Sequence, residues 1–145
     1  MLVTQKCQYA LRGLFELARQ GGQKPVKIAQ IAELQGIPFR FLEVILGQLK
    51  QGGFVESRRG TDGGYLLARR PDAISVGAVV RFIDGPQTED ERERPRTDQT
   101  DPDLFGPVWE EAREAMFGVF DAITLADLLA RHEAMAREFT PNYVI

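Results

Sequence analysis

Arg58-Arg59-Gly60-Thr61-Asp62-Gly63-Gly64-Tyr65 decides the fold, because two cations sit on a glycine-rich turn between two short apolar runs. The flanking Phe54-Val55 and Tyr65-Leu66-Leu67 supply strand formers, and the glycines permit positive φ and close approach to a surface. The stretch therefore predicts a β-hairpin with a cationic tip. Taken alone, such a hairpin is equally a solvated surface turn or an arm built to touch a phosphate backbone. Its position decides between them, because two helical patterns joined by a tight turn lie directly upstream.

In the nearer of these patterns Pro38 suits a first helical turn, and Leu42, Ile45, Leu46 and Leu49 follow i, i+3, i+4, i+7 spacing. That spacing turns Phe39, Arg40, Glu43, Gly47 and Lys50 outward. The helix before it places Ile28, Ile31 and Ala32 on one face and closes at Gln35-Gly36-Ile37. A first helix from about Thr4 to Arg19 carries Ala10, Leu14, Leu17 and Ala18 and ends at Gly21-Gly22. The order predicts a winged helix-turn-helix, mainly α with a small β-hairpin wing. In that architecture the start of the second helix of the pair meets base edges in the major groove and the wing reaches the neighbouring minor groove. Candidate DNA-binding residues are thus Phe39, Arg40, Glu43, Lys50, Arg58, Arg59, Gly63, Gly64 and Tyr65. Arg40 suits guanine O6 and N7, Glu43 the cytosine amino group, and Phe39 a thymine methyl. The competing reading of this helix face is an i, i+3 ion pair between Arg40 and Glu43 in solvent, beside a half-buried Phe39.

After the hairpin, Ser75 is a good N-cap, Ile74 can staple onto Val79, and Gly85-Pro86 ends the helix. Residues 86–104 are polar, charged and without periodicity, and read as a flexible loop. Pro107 opens a long helix, with Glu110 and Glu111 expected in its first turn near the positive end of the dipole. Val108, Ala112, Ala115, Met116, Val119 and Ile123 form one stripe, widened by Trp109, Phe117 and Phe120. Thr124 with Asp127 forms a capping-box pattern, Ile123 can staple onto Leu128, and a last helix continues to about Arg137. This is more apolar surface than a thin domain covers. A two-fold homodimer through Val108, Trp109, Ala112, Ala115, Met116, Val119, Phe120 and Ile123 is expected, with packing on the chain's own core as the alternative. The expected organisation is a DNA-binding domain over 1–85, a loop over 86–104, and dimerisation helices with a tail over 105–145.

A chain of 145 residues with 43% apolar content buries one good core plus an extension. No apolar run approaches the ~18 residues that span a bilayer, and Met1-Leu2-Val3-Thr4-Gln5-Lys6 lacks the apolar segment of a signal peptide, so a cytoplasmic protein is expected. The net charge of −3 hides an uneven distribution. Residues 1–70 hold 11 Lys/Arg against 5 Asp/Glu, and residues 71–145 hold 7 against 16. A basic front and an acidic rear orient the molecule in the field of a polyanion. An enzyme is the weakest reading: His132 is the sole histidine and lies between Arg131 and Glu133, and no nucleophile set, phosphate loop or metal cluster has usable spacing. Cys7 is the sole cysteine, so one chain forms neither an internal disulfide nor a multi-cysteine metal site. A small core residue in a helix is its ordinary role; a thiol sensor is the alternative.

The order Tyr9-Ala10-Leu11, Pro25-Val26, Ile31-Ala32, Gln35-Gly36-Ile37, Phe41-Leu42-Glu43, Arg58-Arg59-Gly60, Gly63-Gly64-Tyr65 and Ile123-Thr124-Leu125 resembles the Rrf2 family of bacterial transcription regulators over nearly the whole chain. The resemblance implies a winged-helix dimer with a long dimerisation helix, a repressor at palindromic promoter DNA, touching it through Arg40, Glu43 and Arg59. Many members hold an iron-sulfur cluster through three cysteines in the loop ahead of the long helix, with a histidine or acidic ligand besides. Here residues 86–104 contain no cysteine, the position before the long helix reads Gly106-Pro107, and helix 1 offers Gln8 rather than an acid. A protein without cluster, metal or other cofactor is therefore expected, answering to a partner protein such as an enzyme of cysteine synthesis, to a small-molecule effector, or through Cys7. A module that keeps this fold but binds protein through its rear face or through Phe39 and Phe41 is the alternative, and it lacks the steep salt dependence of phosphate contacts.

Overall fold

Thr4 begins the first helix. Its hydroxyl accepts from the Cys7 N–H at 3.1 Å, while its own N–H donates to Asp84 Oδ2 at 3.1 Å and its hydroxyl to Asp84 Oδ1. The computed structural model describes residues 2–85 and 102–139. They form α1 (Gln5–Arg19), α2 (Ile28–Gln35), α3 (Phe39–Gln51), β1 (Val55–Arg58), β2 (Gly64–Leu67), α4 (Val76–Asp84), α5 (Gly106–Asp121) and α6 (Leu125–Phe139), with a 3-10 turn over Pro71–Ala73. Among the described residues no helix is long and apolar enough to cross a membrane.

The helix-turn-helix forms where the apolar spacing placed it. Ile31 and Ala32 of α2 and Leu42, Ile45, Leu46 and Leu49 of α3 are buried against Leu14 and Leu17 of α1. Gly36 closes α2 in the left-handed region at φ 62°, which lets the chain reverse within Gly36-Ile37-Pro38 and start α3. β1 and β2 then pair antiparallel, with Val55 opposite Leu67 and Arg58 opposite Gly64. The loop between them turns at Gly60–Gly63, where the Gly63 N–H donates to the Gly60 carbonyl at 3.0 Å.

The rear helices join the same core. Ser75 caps α4 through the Ala78 N–H at 3.0 Å, and Ile74 and Val79 are both fully buried in one cluster, as a staple requires. Asp127 and Thr124 exchange bonds reciprocally at 2.9 and 3.2 Å, forming the capping box of α6. A bridge between Ser75 and Thr124 sets the two helix starts side by side and carries Leu125 to full burial among residues of α1 to α4. One expectation fails: Glu110 and Glu111 lie outside the first turn of α5, which has no acidic residue. The helix begins at Gly106, whose N–H donates to Asp103 Oδ1 at 2.9 Å, so the acidic service to the helix start comes from Asp103, while Glu110 pairs with Arg113 at 2.9 Å.

Candidate nucleic-acid interface

The outward side of α3 presents Phe39, Arg40, Glu43 and Lys50, all exposed, with Phe39 46% accessible. Among the described residues neither Arg40 nor Glu43 has an ion-pair partner, so the solvated i, i+3 pair is not formed and both charges stay free for a ligand. Val44 and Phe41 are also exposed, at 59% and 64%. Val44 is not among the residues that the sequence marks as candidates, since an apolar side chain there carries no polar or charged signal.

Three ties fix the wing relative to this helix. The Lys50 amine donates to Ser57 Oγ in β1 at 2.7 Å, linking the end of α3 to the root of the hairpin. Arg69, just past β2, donates to the Gly53 and Gly52 carbonyls at 3.1 Å each and lies 4.5 Å over the Phe54 ring, closing the carbonyl end of α3. Val26 and Tyr65 exchange two backbone bonds of 2.8 Å, so the segment before α2 adds a third rung beside β2. That rung brings the exposed Lys24 and Lys27 to the flank of the wing. Arg58 and Arg59 are exposed at the wing tip, and the contact of Arg58 with Glu56 is long at 3.8 Å between two well-exposed side chains, too weak to neutralise it.

The glycines and tyrosine assigned to DNA in the sequence have explanations inside the chain. A Cβ on Gly63 would strike the Arg58 carbonyl, and one on Gly64 would strike that of Val26, so both are glycine because backbone passes backbone. Tyr65 spends its N–H and carbonyl on Val26 and packs half-buried against the core. These three residues build the wing; the arginines at its tip are what it carries.

Over residues 3–131 the chain matches the Rrf2 family, described as "Iron-dependent Transcriptional regulator". The chain belongs to the Rrf2 family. It is 34% identical to "Protein rrf2" of Nitratidesulfovibrio vulgaris across 89% of this chain and 87% of that protein. It is 33% identical to "HTH-type transcriptional regulator CymR" of Bacillus subtilis across 88% of this chain and 89% of that one. Among solved structures it resembles IscR of T. potens with a TM-score of 0.78 and 33% identity, covering 97% of this chain and 93% of that one. The B. subtilis CymR structure gives a TM-score of 0.75 at 32% identity, covering 89% and 96%. This Rrf2-family chain is a DNA-binding transcriptional regulator of the winged-helix type and not an enzyme.

The iron that the family description implies has no fitting donor set here. Cys7 is fully buried in α1 against Val80 of α4 and Phe117 of α5, and His132 is exposed on α6 with its ring edge-on to Phe15 at 5.4 Å. Among the described residues no three His, Cys, Asp or Glu side chains are placed to hold a metal ion, and 86–101 adds no cysteine. One thiol per chain does not hold an iron-sulfur cluster. Cys7 packs toward α4 and α5. Burial, with the Asp84 charge second, pushes its thiol up to about 12, so thiolate is scarce at neutral pH.

The stripe expected on the long helix divides into two edges. Phe117 is buried and Met116, Phe120 and Ile123 are half-buried against α4 and its surroundings, held by Arg81, which grips Asp121 at 2.5 and 2.9 Å and lies 4.3 Å over the Phe117 ring. Val108, Trp109, Ala112, Ala115 and Val119 are exposed, Trp109 at 66% and stacked on the equally open Phe105.

Proposed function

We propose that this Rrf2-family regulator is a homodimeric repressor that binds a palindromic operator through α3 and the wing, in the cytoplasm, without an iron-sulfur cluster. The observation that carries the reading is the set of exposed cations, Arg40, Arg58 and Arg59, on elements locked together by the Lys50, Arg69 and Val26 ties. Such a frame delivers a helix and an arm to adjacent grooves at a fixed separation. Arg40, Glu43 and Phe39 read base edges, and Arg58 and Arg59 neutralise phosphates or enter the minor groove.

The exposed edge of α5 supports the dimer. Val108, Ala112, Ala115 and Val119 read the same in either direction, two small residues flanked by valine on each side. A second copy laid antiparallel sets alanine on alanine at the two-fold axis and brings Trp109 toward Met116 and Phe120. Two recognition helices then stand about one DNA turn, ~34 Å, apart. The signal comes from a partner protein or a small-molecule effector; the raised thiol of Cys7 and the lack, among the described residues, of three side chains placed to hold a metal ion support this.

Selection of genomic DNA fragments by the purified protein at physiological salt, followed by sequencing of the retained pool, tests this. A shared palindrome is the expected result. A pool without enrichment, both alone and with cell extract added, overturns DNA reading through this surface.

A further inference from the structure

Two residues on the outward side of α3 are poor helix formers with no packing task among the described residues. Gly47 stands in the middle of the helix, and a Cβ there would meet no atom within 4 Å. Other helical glycines have neighbours: a Cβ on Gly13 would make an ordinary packing contact with Leu42 Cδ1 at 3.4 Å, and Gly77 leaves room for the Asp121 carboxylate. Gly118 shares the open space of Gly47, and it too lies on a helix assigned an external partner. Val44, one turn before Gly47, is β-branched, 59% exposed and outside both apolar clusters. With Leu42, Ile45, Leu46 and Leu49 buried, helical periodicity sets Arg40, Val44 and Gly47 on one outward line.

We propose that Gly47 is the point of closest approach between α3 and the DNA, and that Val44 beside it packs on a thymine methyl. The inference rests on the DNA-binding reading above and adds how deeply the helix sits and which base it prefers. A helix in a major groove about 12 Å wide has little clearance, and a backbone that nears the duplex is served by the absence of a side chain. Contact with the C5 methyl of thymine is the base-reading chemistry open to valine.

Duplexes retained by the wild-type protein in the genomic selection are the probe. Gly47→Ala replaces the weakest ordinary helix former by the best, so Tm is expected to rise by roughly 2–4 °C while the duplex is bound about tenfold more weakly. Gly47→Lys adds a cation to a surface that faces a polyanion, yet is expected to weaken binding at least as much, an outcome that charge alone would reverse. Uracil placed at one thymine of the site at a time removes only that methyl group; at one position it is expected to weaken the wild type several-fold and leave Val44→Ala unaffected. Unchanged or tighter binding by both Gly47 variants overturns the close approach, and equal uracil sensitivity of the wild type and Val44→Ala overturns the methyl contact. Retention of no duplex by the wild type overturns the DNA-binding reading itself, so the two failures are distinct.

Discussion

A Cβ on Gly64 would collide with the carbonyl of Val26, so the wing and the segment ahead of α2 run closer together than any side chain permits. The residue also has φ +147°, which L side chains rarely adopt. Gly64→Ala is expected to cost roughly 2–4 kcal/mol and to free the Val26 and Tyr65 amides for hydrogen exchange. Gly60→Ala is the control: φ is +106° but the space is open, so only backbone strain of ~1–2 kcal/mol is expected, with both amides still protected.

Among the described residues Arg59 has no ion-pair partner and Arg58 only its long, exposed contact with Glu56, so their removal costs the fold little. Changing both to Ala is expected to leave Tm within about 1 °C of the wild type, to weaken DNA binding by more than about tenfold, and to flatten the plot of log K against log salt by roughly 0.9 for each phosphate no longer neutralised. Tight, salt-sensitive binding by the double variant would remove the wing from the interface.

Ala112 lies on the exposed edge of α5 and belongs to neither apolar cluster. Ala112→Glu is expected to give a folded monomer in sedimentation, because two like charges would meet at the two-fold axis. A dimer of undiminished affinity would place the interface elsewhere.

Helix capping gives a pH signature. The Asp127 carboxyl is held below its usual 3.8, first by the Thr124 N–H, then by the Thr124 hydroxyl, with Arg131 contributing. A depressed carboxyl stabilises the fold when ionised, so its contribution is complete at neutral pH and is lost as pH falls through the depressed folded value. Asp127→Asn is expected to lower Tm at pH 7, with the gap to the wild type closing below pH 3.8. A gap that is constant down to pH 2 would mean that charge plays no part in the cap.

Cys7 predicts the opposite behaviour at alkaline pH. Its thiol is raised from 9.0 to about 12, so the fold favours the neutral form, and stability is expected to fall as pH rises from 9 toward 12 in the wild type but not in Cys7→Ser. At pH 7 the native thiol is expected to resist peroxide and disulfide reagents until the protein unfolds. Rapid labelling of the native protein, with loss of DNA binding, would restore the sensor role.

What the sequence revealed and what it hid divide along the range of the interactions. The α3 stripe from Leu42 to Leu49, the Ser75 cap and the Thr124/Asp127 box each lie within a few residues, and periodicity and capping chemistry display them directly. Thr4 and Asp84 are 80 residues apart and Arg81 and Asp121 are 40 apart, and no local pattern announces either pair. Gly64 shows how a second reason stays out of sight: a glycine beside cations suggests approach to a ligand, and only the structure reveals that the Val26 backbone also passes close to it. Val44 was hidden because an apolar residue on a helix reads as filler until its exposure is known, whereas Gly47 is turned outward by the spacing but carries no group that announces a contact.

Leu125 enters the centre of the N-terminal helices from the far end of the chain, fully enclosed there, with its N–H on the Ile74 carbonyl at 3.0 Å. Modularity here stops at the level of tasks. The segments given to reading and to pairing share one interior, so a fragment cut or transplanted at Gly85 would leave its own centre open, and damage at the rear would be felt as loss of grip at the front.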